Sequence, residues 1–221
     1  MDGNRRWAMR QGLLPAQGHR KGFDVIQTIV EFCFEKSIKH VSLYVFSLEN
    51  MKRSSEELYY LFEVLAQEVV DDLIQLKEKN INITFVGDRS LFPKSIKHLC
   101  DRVERETRHC DRLYVHILLY YGSRQEIVDT TRRIATKVCK GDLQLTDVTV
   151  EVFEQFLWTA NIPYPDLIIR TGGDHRLSNF LLFQAAYTEL YFLDCLWPDI
   201  TKKELEAAVT YFHNCRKNYG V

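Results

Sequence analysis

The stretch from Leu113 to Val138 decides the fold class, because it joins a strand to a helix. Its first nine residues, LYVHILLYY (113–121), form a strongly apolar run rich in residues that favour β-strands. A Gly-Ser pair follows, and the sequence from about Arg124 to Val138 predicts a helix that Gly141 ends. This strand-to-helix unit is the building block of α/β proteins.

The same alternation extends along the chain on both sides of this unit. It predicts a largely parallel sheet with helices on both faces. No repeat or linker interrupts it, so we expect one domain over residues 1–221. The further predicted strands are 41–46, 81–86 and 166–170. A Ser-x-x-Glu capping box at 54–57 predicts the start of a long helix that extends to residue 76. The other predicted helices are 18–36, 93 to about 109, 146–157 and 202–218.

Composition excludes several classes of protein. The 221 residues carry a formal net charge of -1, with 46% hydrophobic residues, which argues against disorder and against bulk nucleic-acid binding. The six cysteines form no Cys-x-x-Cys pair, so neither a zinc site nor a dithiol motif is indicated. Asp2, Arg5 and Arg6 stand where a signal peptide would begin, and no apolar run approaches the ~18 residues of a membrane span. We therefore expect a soluble cytoplasmic protein.

Polar residues gather in the loops where predicted strands end or helices begin. In parallel α/β sheets, ligands bind at the carboxyl ends of the strands. The loops to consider are therefore 2–7, 47–53, 122–124 and 171–178.

The first and last of these loops have the chemistry of an anion site. Arg5 and Arg6 in one loop, with Arg170 and Arg176 around the other, suit phosphate, which guanidinium groups bind through paired hydrogen bonds. Two arginine-rich loops predict two anionic groups or one extended anion. Asp2 among these cations predicts a divalent metal that bridges a carboxylate to phosphate oxygens.

Each of these features also has a plain structural explanation when it is taken alone. Paired arginines are commonly solvated, a single histidine such as His19 is commonly structural, and Gly172-Gly173 is commonly a turn. Glu189 in an apolar segment could be a partnered buried carboxylate or an exposed end. The placement of the loops on successive strand ends is what indicates a functional site.

Several long motifs, in order, then resemble one family. They are MDGNRRWA (1–8), GHRKG (18–22), FSLENMKR (46–53), VGD (86–88), YGSR (121–124), IRTGGDHRLSNFLL (169–182), ELYF (189–192) and LWPD (196–199). Together they resemble the cis-prenyltransferases, most closely the bacterial undecaprenyl diphosphate synthases. The trans-prenyltransferases are a poor match, because Asp71-Asp72 is followed by Leu-Ile-Gln and lacks their Asp-Asp-x-x-Asp motif.

The resemblance implies an enzyme that condenses isopentenyl diphosphate with an allylic diphosphate, expected to be farnesyl diphosphate. The product would be a cis-polyprenyl diphosphate, and the reaction would use Mg²⁺. The resemblance also implies a homodimer, with at most peripheral membrane contact through the lipid product. No nucleic-acid partner is expected. A growing apolar chain needs a tunnel, which the helix from Ser54 and the strands ending at Phe46 and Tyr121 could line.

The resemblance also assigns roles to individual residues. Asp2 would be the catalytic carboxylate that handles the metal, with Glu189 as a second metal ligand. Asn50, with Ser47, would assist proton removal. The substrate-binding residues implied by the motifs are Gly3, Asn4, Arg5, Arg6, Trp7, His19, Ser47, Leu48, Glu49, Arg53, Arg170, Arg176, Leu177 and Ser178.

Some positions depart from the family pattern. Pro15 stands where an arginine is usual, Met51 replaces a tryptophan, Tyr120 replaces an asparagine and Val45 replaces a tunnel-side alanine. The family's first strand would precede Met1, so we expect an α/β sheet without that strand. Two alternatives to an active enzyme follow: a non-catalytic accessory subunit of the same fold, or an inactive N-terminally truncated fragment. The intact Asp-Gly-Asn motif at 2–4 argues against the accessory subunit.

Overall fold

The computed structural model describes residues 1–53 and 77–215, together with Leu58 and Phe62. Within these residues the strands form two parallel sheets. The first has the order β1-β3-β2, and the second pairs β4 with β5. The strands are β1 (His40–Ser47), β2 (Ile81–Val86), β3 (Leu113–Tyr121), β4 (Leu167–Arg170) and β5 (Glu189–Phe192).

Helices precede β1 and β3, separate β3 from β4 and follow β5, in agreement with the predicted alternation, but in the described residues β4 and β5 have no helix between them. Short 3₁₀ turns connect them at Leu48–Lys52, Arg89–Leu91, Leu145–Asp147 and Trp197–Asp199. None of the described helices has the length and hydrophobicity that crossing a bilayer requires. The helices are α1 (Asn4–Arg10), α2 (Pro15–Glu35), α3 (Lys94–Thr107), α4 (Ser123–Cys139), α5 (Val150–Phe156) and α6 (Lys202–Asn214).

The first sheet is built around β3, which lies between β1 and β2. Leu113, Leu118, Leu119 and Tyr121 are fully buried in it, with 0% exposure. A parallel strand that is covered on both faces reads as a continuous apolar run, which explains the LYVHILLYY pattern. The core continues from this strand to the buried residues of α2, such as Phe32.

The opening segment is a helix from Asn4, whereas the sequence predicts a loop over residues 2–7. α1 lies against α2, which begins at Pro15, earlier than the predicted residue 18, because proline suits the first turn of a helix. The two helices approach so closely that a Cβ at Gly18 would lie 2.2 Å from the backbone oxygen of Asn4. Glycine at this position therefore fixes where the polar opening motif lies.

Other elements differ from prediction in extent. The predicted helix at 146–157 is a 3₁₀ turn followed by α5, and the strand β5 was not predicted. β5 has four residues, all of them half-buried, so neither an alternating nor a continuous apolar pattern marks it. The predicted helix over 54–76 lies outside the described residues apart from Leu58 and Phe62, as does the end of the last helix beyond 215.

The predicted α/β fold with parallel strands is confirmed, and in the part of the chain that the structure describes these strands fall into two groups. There β1 pairs with β3 alone and β4 pairs with β5 alone. One cavity of about 1210 Å³ is lined both by residues of β1 and by residues of β4. The cavity therefore separates the two sheets, and the carboxyl ends of both face the same polar region.

Candidate active site

Asp2 is fixed through its backbone at the end of β4. Its N–H donates to Oγ1 of the buried Thr171 at 3.0 Å, and the Thr171 hydroxyl donates to the Asp2 carbonyl oxygen at 2.8 Å. The Trp197 N–H donates to the same carbonyl at 3.0 Å. Three hydrogen bonds within the protein thus fix the backbone of Asp2.

Two arginines surround the Asp2 carboxylate. Arg170 donates to Oδ2 at 2.9 Å, and Arg6 donates to Oδ1 at 3.3 Å. Partial burial opposes ionisation of this carboxyl, but the hydrogen bond from Arg170 and the charges of both arginines outweigh it and hold the pKa of Asp2 below its ordinary value. Asp2 is therefore an ionised carboxylate within a cationic surrounding.

Gly172 allows Arg6 to reach this position. The guanidinium of Arg6 donates to the Gly172 carbonyl oxygen at 2.7 Å, and a Cβ at Gly172 would lie 2.4 Å from Nη2 of Arg6. The backbone φ of +93° at Gly172 also lies in the region that favours glycine. The Gly-Gly turn of the sequence is thus part of the site.

Arg170 connects Asp2 to the loop that follows β4. Its Nη1 donates to Oγ of Ser178 at 2.7 Å and to the backbone oxygen of Arg176. The Nε of Arg170 is buried and has no hydrogen-bond partner among the described residues. This side chain is 13% exposed, so its position is set by the fold.

The loop after β1 forms another wall of the site. The Ser47 N–H donates to Oδ1 of Asn50 at 3.2 Å, which closes the turn at the strand end. A bulge immediately precedes it: Tyr44 pairs with Leu118 and Phe46 pairs with Leu119, which leaves Val45 unpaired. The bulge redirects the end of β1 beside the cavity.

Most of the predicted site residues line this same cavity. The apolar part of its wall comes from β1, β4, α2 and α6, including Val45, Ile169, Ile29 and Leu205. The predicted residues in its wall are Asp2, Gly3, Asn4, Arg5, Arg6, His19, Ser47, Asn50, Arg53, Arg170, Arg176, Leu177 and Ser178. Five arginines in this wall make the polar end suitable for polyanions.

Four predicted site residues lie outside the cavity wall. Trp7 donates from its indole to Asp199 at 2.7 Å, and the carboxylate of Glu49 accepts a hydrogen bond from Asn179 at 2.7 Å. Leu48 packs against the hydrophobic core. Glu189 begins β5 and pairs with Leu167. Leu167 lies three residues before Arg170 on β4, which corresponds to about 10 Å along the strand. The structure does not bring Glu189 to Asp2.

Of the two strands predicted to line a tunnel, the strand through Phe46 (β1) contributes to the cavity wall, whereas the strand that ends at Tyr121 (β3) does not. Both side chains are fully buried in the core at 0% exposure, and neither lines the cavity. Phe46 packs edge-on against Phe62, and Tyr121 donates to the buried Glu126 at 2.5 Å. The sequence pattern could not distinguish a buried strand end from a cavity wall, because both are apolar.

The residues around Asp2 are compatible with Mg²⁺. Asp174 is not among the predicted site residues, yet its carboxylate lies 4.0 Å from Arg6 and 3.7 Å from Arg170, so it shares both arginines with Asp2. Within the described ranges, no cluster of three or more His, Cys, Asp or Glu side chains forms an all-protein metal site. Mg²⁺ characteristically binds through one or two carboxylates with water and substrate phosphate oxygens, which fits this donor set.

Comparison with known proteins identifies the family. Residues 1–220 match the family model described as "Putative undecaprenyl diphosphate synthase". A tritrans,polycis-undecaprenyl-diphosphate synthase (geranylgeranyl-diphosphate specific) of Pyrococcus furiosus is 40% identical, over all of this chain and 84% of that protein. A ditrans,polycis-undecaprenyl-diphosphate synthase ((2E,6E)-farnesyl-diphosphate specific) of Legionella pneumophila is 37% identical, over all of this chain and 92% of that protein.

Solved structures agree with the sequence relatives. Lavandulyl diphosphate synthase from Lavandula x intermedia, in complex with dimethylallyl diphosphate, has a TM-score of 0.96 at 31% identity, covering all of this chain and 95% of its own. A probable undecaprenyl diphosphate synthase from Campylobacter jejuni has a TM-score of 0.79 at 34% identity, covering 91% and 92%.

The α/β fold and the arginine-rich site at its strand ends therefore define a transferase that acts on prenyl diphosphates. The chain belongs to the cis-prenyltransferase family, the undecaprenyl diphosphate synthases and their relatives.

Proposed function

We propose that this enzyme condenses isopentenyl diphosphate with an allylic diphosphate, with farnesyl diphosphate as the primer, and that the reaction depends on Mg²⁺. The products are a cis-polyprenyl diphosphate and free diphosphate. The carrying observation is the ionised Asp2 between Arg6 and Arg170, in the wall of a cavity that arginines and apolar side chains line together. Two diphosphates need many guanidinium donors, and a prenyl chain needs apolar surface.

The reaction is an electrophilic alkylation. The C1–O bond of the allylic diphosphate breaks, and its electron pair leaves with the diphosphate. The double bond of isopentenyl diphosphate supplies the electrons of the new C–C bond, and the adjacent carbon loses a proton that the released diphosphate can accept. Arg5, Arg6 and His19 bind the departing diphosphate, whereas Arg170, Arg176 and Ser178 bind isopentenyl diphosphate. Stabilising the departing charge and holding the two carbons together supply the rate enhancement.

Asn50 and Ser47 lie in the wall beside these arginines, where we place the reacting carbons. Their amide and hydroxyl groups orient the proton that is lost. Asp2 would hold Mg²⁺, which supplies charge neutralisation on the diphosphate when it is bound. The assignment of Glu189 as a second metal ligand remains a prediction, and its place at the far end of β5 gives it no support.

The test is incorporation of radiolabelled isopentenyl diphosphate into extractable product, with Mg²⁺ and with EDTA. Farnesyl, geranylgeranyl and dimethylallyl diphosphates are compared as primers, because relatives named for farnesyl and for geranylgeranyl diphosphate are similarly distant. We expect incorporation to be greatest with farnesyl diphosphate and to fall about 10³-fold or more in Asp2→Ala, in which charge stabilisation is lost. Unchanged incorporation in Asp2→Ala would refute the role of Asp2.

The same assay separates the alternatives. An accessory subunit or an inactive fragment would show no incorporation by the wild-type chain with any primer. We also propose a homodimer in the cytoplasm, which light scattering on the purified protein and fractionation of the source cells would test. A monomeric mass with full activity would contradict the dimer.

A further inference from the structure

One side chain outside the cavity wall connects the loops that follow three strands. Asn179 donates from Nδ2 to Glu49 Oε1 at 2.7 Å, in the loop after β1, and to Gln125 Oε1 at 2.9 Å. Its Oδ1 accepts from the Arg124 N–H at 2.8 Å, and its carbonyl oxygen accepts from the Ser123 N–H at 2.9 Å, both in the first turn of α4. Asn179 itself follows β4.

These contacts use both donors of the side chain and its acceptor oxygen. The amide has two N–H donors and an acceptor oxygen. Its N–H groups donate to the side-chain oxygens of Glu49 and Gln125, and its oxygen accepts from the Arg124 N–H. The N–H groups of Ser123 and Arg124 have no partner within α4, because the first N–H groups of any helix lack one. Asn179 therefore caps α4 from another part of the chain.

The backbone around Asn179 is in an unusual conformation. Ser178 has φ 50°, Asn179 has φ 66° and Leu181 has φ 45°, all in the left-handed region that non-glycine residues seldom adopt. Such conformations persist where surrounding contacts determine them. The hydrogen bonds of Asn179 are contacts of that kind, and the conformation they hold presents Ser178 Oγ to Arg170 at 2.7 Å.

The neighbours of Asn179 and of Glu49 lie in the cavity wall. Ser178 precedes Asn179, and Asn50 follows Glu49, so the Asn179–Glu49 hydrogen bond joins two walls of the site. We propose that Asn179 is a positioning residue, which sets the place of Ser178 and Asn50 relative to each other for isopentenyl diphosphate. This inference rests on the proposed condensation reaction, and Asn179 acts through its neighbours because it does not itself line the cavity.

The test is steady-state kinetics of Asn179→Asp, which keeps the shape of the side chain and its acceptor for Arg124. The substitution replaces the N–H group that donates to Glu49 with an oxygen, so the carboxylates at positions 49 and 179 repel each other. We expect kcat/KM for isopentenyl diphosphate to fall by about tenfold to a hundredfold, because a small misplacement of the groups that hold a substrate has an effect of this size. The KM for isopentenyl diphosphate should change more than the KM for the allylic primer. Asn179→Gly tolerates the positive φ without the side chain and should show the same selective loss.

The reciprocal variant provides the rescue. In the double variant Glu49→Gln, Asn179→Asp, the new amide at position 49 can donate to the new carboxylate at position 179. Donor and acceptor are thus exchanged, and the double variant should regain most of the loss. The matched control is Asn80→Asp. Asn80 also has a positive φ of 58° and donates to a carboxylate, that of Asp111, at 2.8 Å, but it lies outside the cavity wall.

The outcomes are distinct. Asn80→Asp should shift thermal unfolding and leave the KM for isopentenyl diphosphate within about twofold of wild type, since distant sites act independently. The inference is overturned when Asn179→Asp changes both KM values no more than Asn80→Asp does, or when Glu49→Gln fails to rescue it. A wild-type chain that binds isopentenyl diphosphate in calorimetry but transfers no prenyl group refutes the proposed function instead.

Discussion

At the scale of single residues, the site depends on backbone positions as much as on charged groups. Gly172 has a φ of +93°, and its missing Cβ leaves the space that Arg6 Nη2 occupies. Gly172→Ala should displace Arg6 from Asp2 and from the Gly172 carbonyl oxygen. We expect kcat/KM for the allylic diphosphate to fall by about tenfold or more, because the charges around Asp2 are misplaced.

Gly141 supplies the control for this substitution. It has a similar φ of +77°, a Cβ added there would meet no atom within 4 Å, and it follows α4 outside the cavity wall. Gly141→Ala therefore introduces the same backbone strain without the clash, and about 1 kcal/mol of stability should be lost with kinetics unchanged. Equal kinetics for the two variants would show that Gly172 does not position Arg6.

Val45 is the residue most suited to influence product length. It is unpaired in the bulge of β1 and lines the cavity close to the polar end. If its side chain limits the space for a growing chain, Val45→Ala should lengthen the products, which reversed-phase chromatography of the dephosphorylated prenols measures. Removing two methyl groups from a half-buried site costs only about 1 kcal/mol. The same chain-length distribution in both proteins would rule this role out.

At the scale of elements, the first sheet contains a buried chain of polar side chains. His116 of β3 is 3% exposed and lies between Thr84 Oγ1 at 2.7 Å and His40 Nδ1 at 3.1 Å. Burial, with the neighbouring His40, lowers the pKa of His116 to about 4. The folded state therefore favours the neutral imidazole, which joins the three strands of this sheet.

This pKa difference predicts how stability depends on pH. An unfolded histidine takes a proton near 6.5, so the contribution of His116 is complete above that pH and is lost as the pH falls toward 4. The loss is on the order of 3 kcal/mol at pH 4. Urea unfolding between pH 7 and pH 4 should show a smaller decrease for His116→Gln than for wild type, whereas His98→Gln, at an exposed position of α3, should follow wild type. Parallel curves for all three would contradict the assignment.

Elements with a distinct local pattern were predictable from the sequence. β3 matches its prediction over Leu113–Tyr121, because a strand covered on both faces must be apolar throughout. β5 was not predictable, since its four half-buried residues carry no pattern and its pairing with β4 is a long-range contact. α1 was assigned to a loop because seven polar-rich residues do not indicate a helix by themselves, and its packing against Gly18 stabilises it.

At the scale of the whole molecule, the site required tertiary structure to define it. The motifs predicted the arginines and Asp2, since their chemistry is visible in the residue types. They did not predict that Asp174 shares those arginines, or that Glu49 is held by Asn179, because these contacts depend on loop conformations. The resemblance implied that Glu189 is a second metal ligand, and the register places it three residues along the sheet from Phe192, which pairs with Arg170.

The polar groups at the cavity belong to both sheets, so an anion bound there should stabilise the folded molecule as a whole. Inorganic pyrophosphate with Mg²⁺ is the simplest probe. At about 100 times its Kd, ligand binding contributes about 2.7 kcal/mol, which corresponds to a rise in Tm of about 5–10 °C for a domain of this size.

Two substitutions of exposed arginines test whether this rise in Tm comes from binding in the cavity. Arg176→Gln removes a cation from the cavity wall and should reduce the pyrophosphate-induced shift, because fewer donors reach the anion. Arg102→Gln removes a cation that pairs with Glu106 at 3.1 Å on α3, outside the cavity wall, and should leave the shift unchanged. Differential scanning fluorimetry measures all three proteins. An equal shift in both variants would mean that pyrophosphate binds without Arg176, which would contradict the assignment of Arg176 to a diphosphate site.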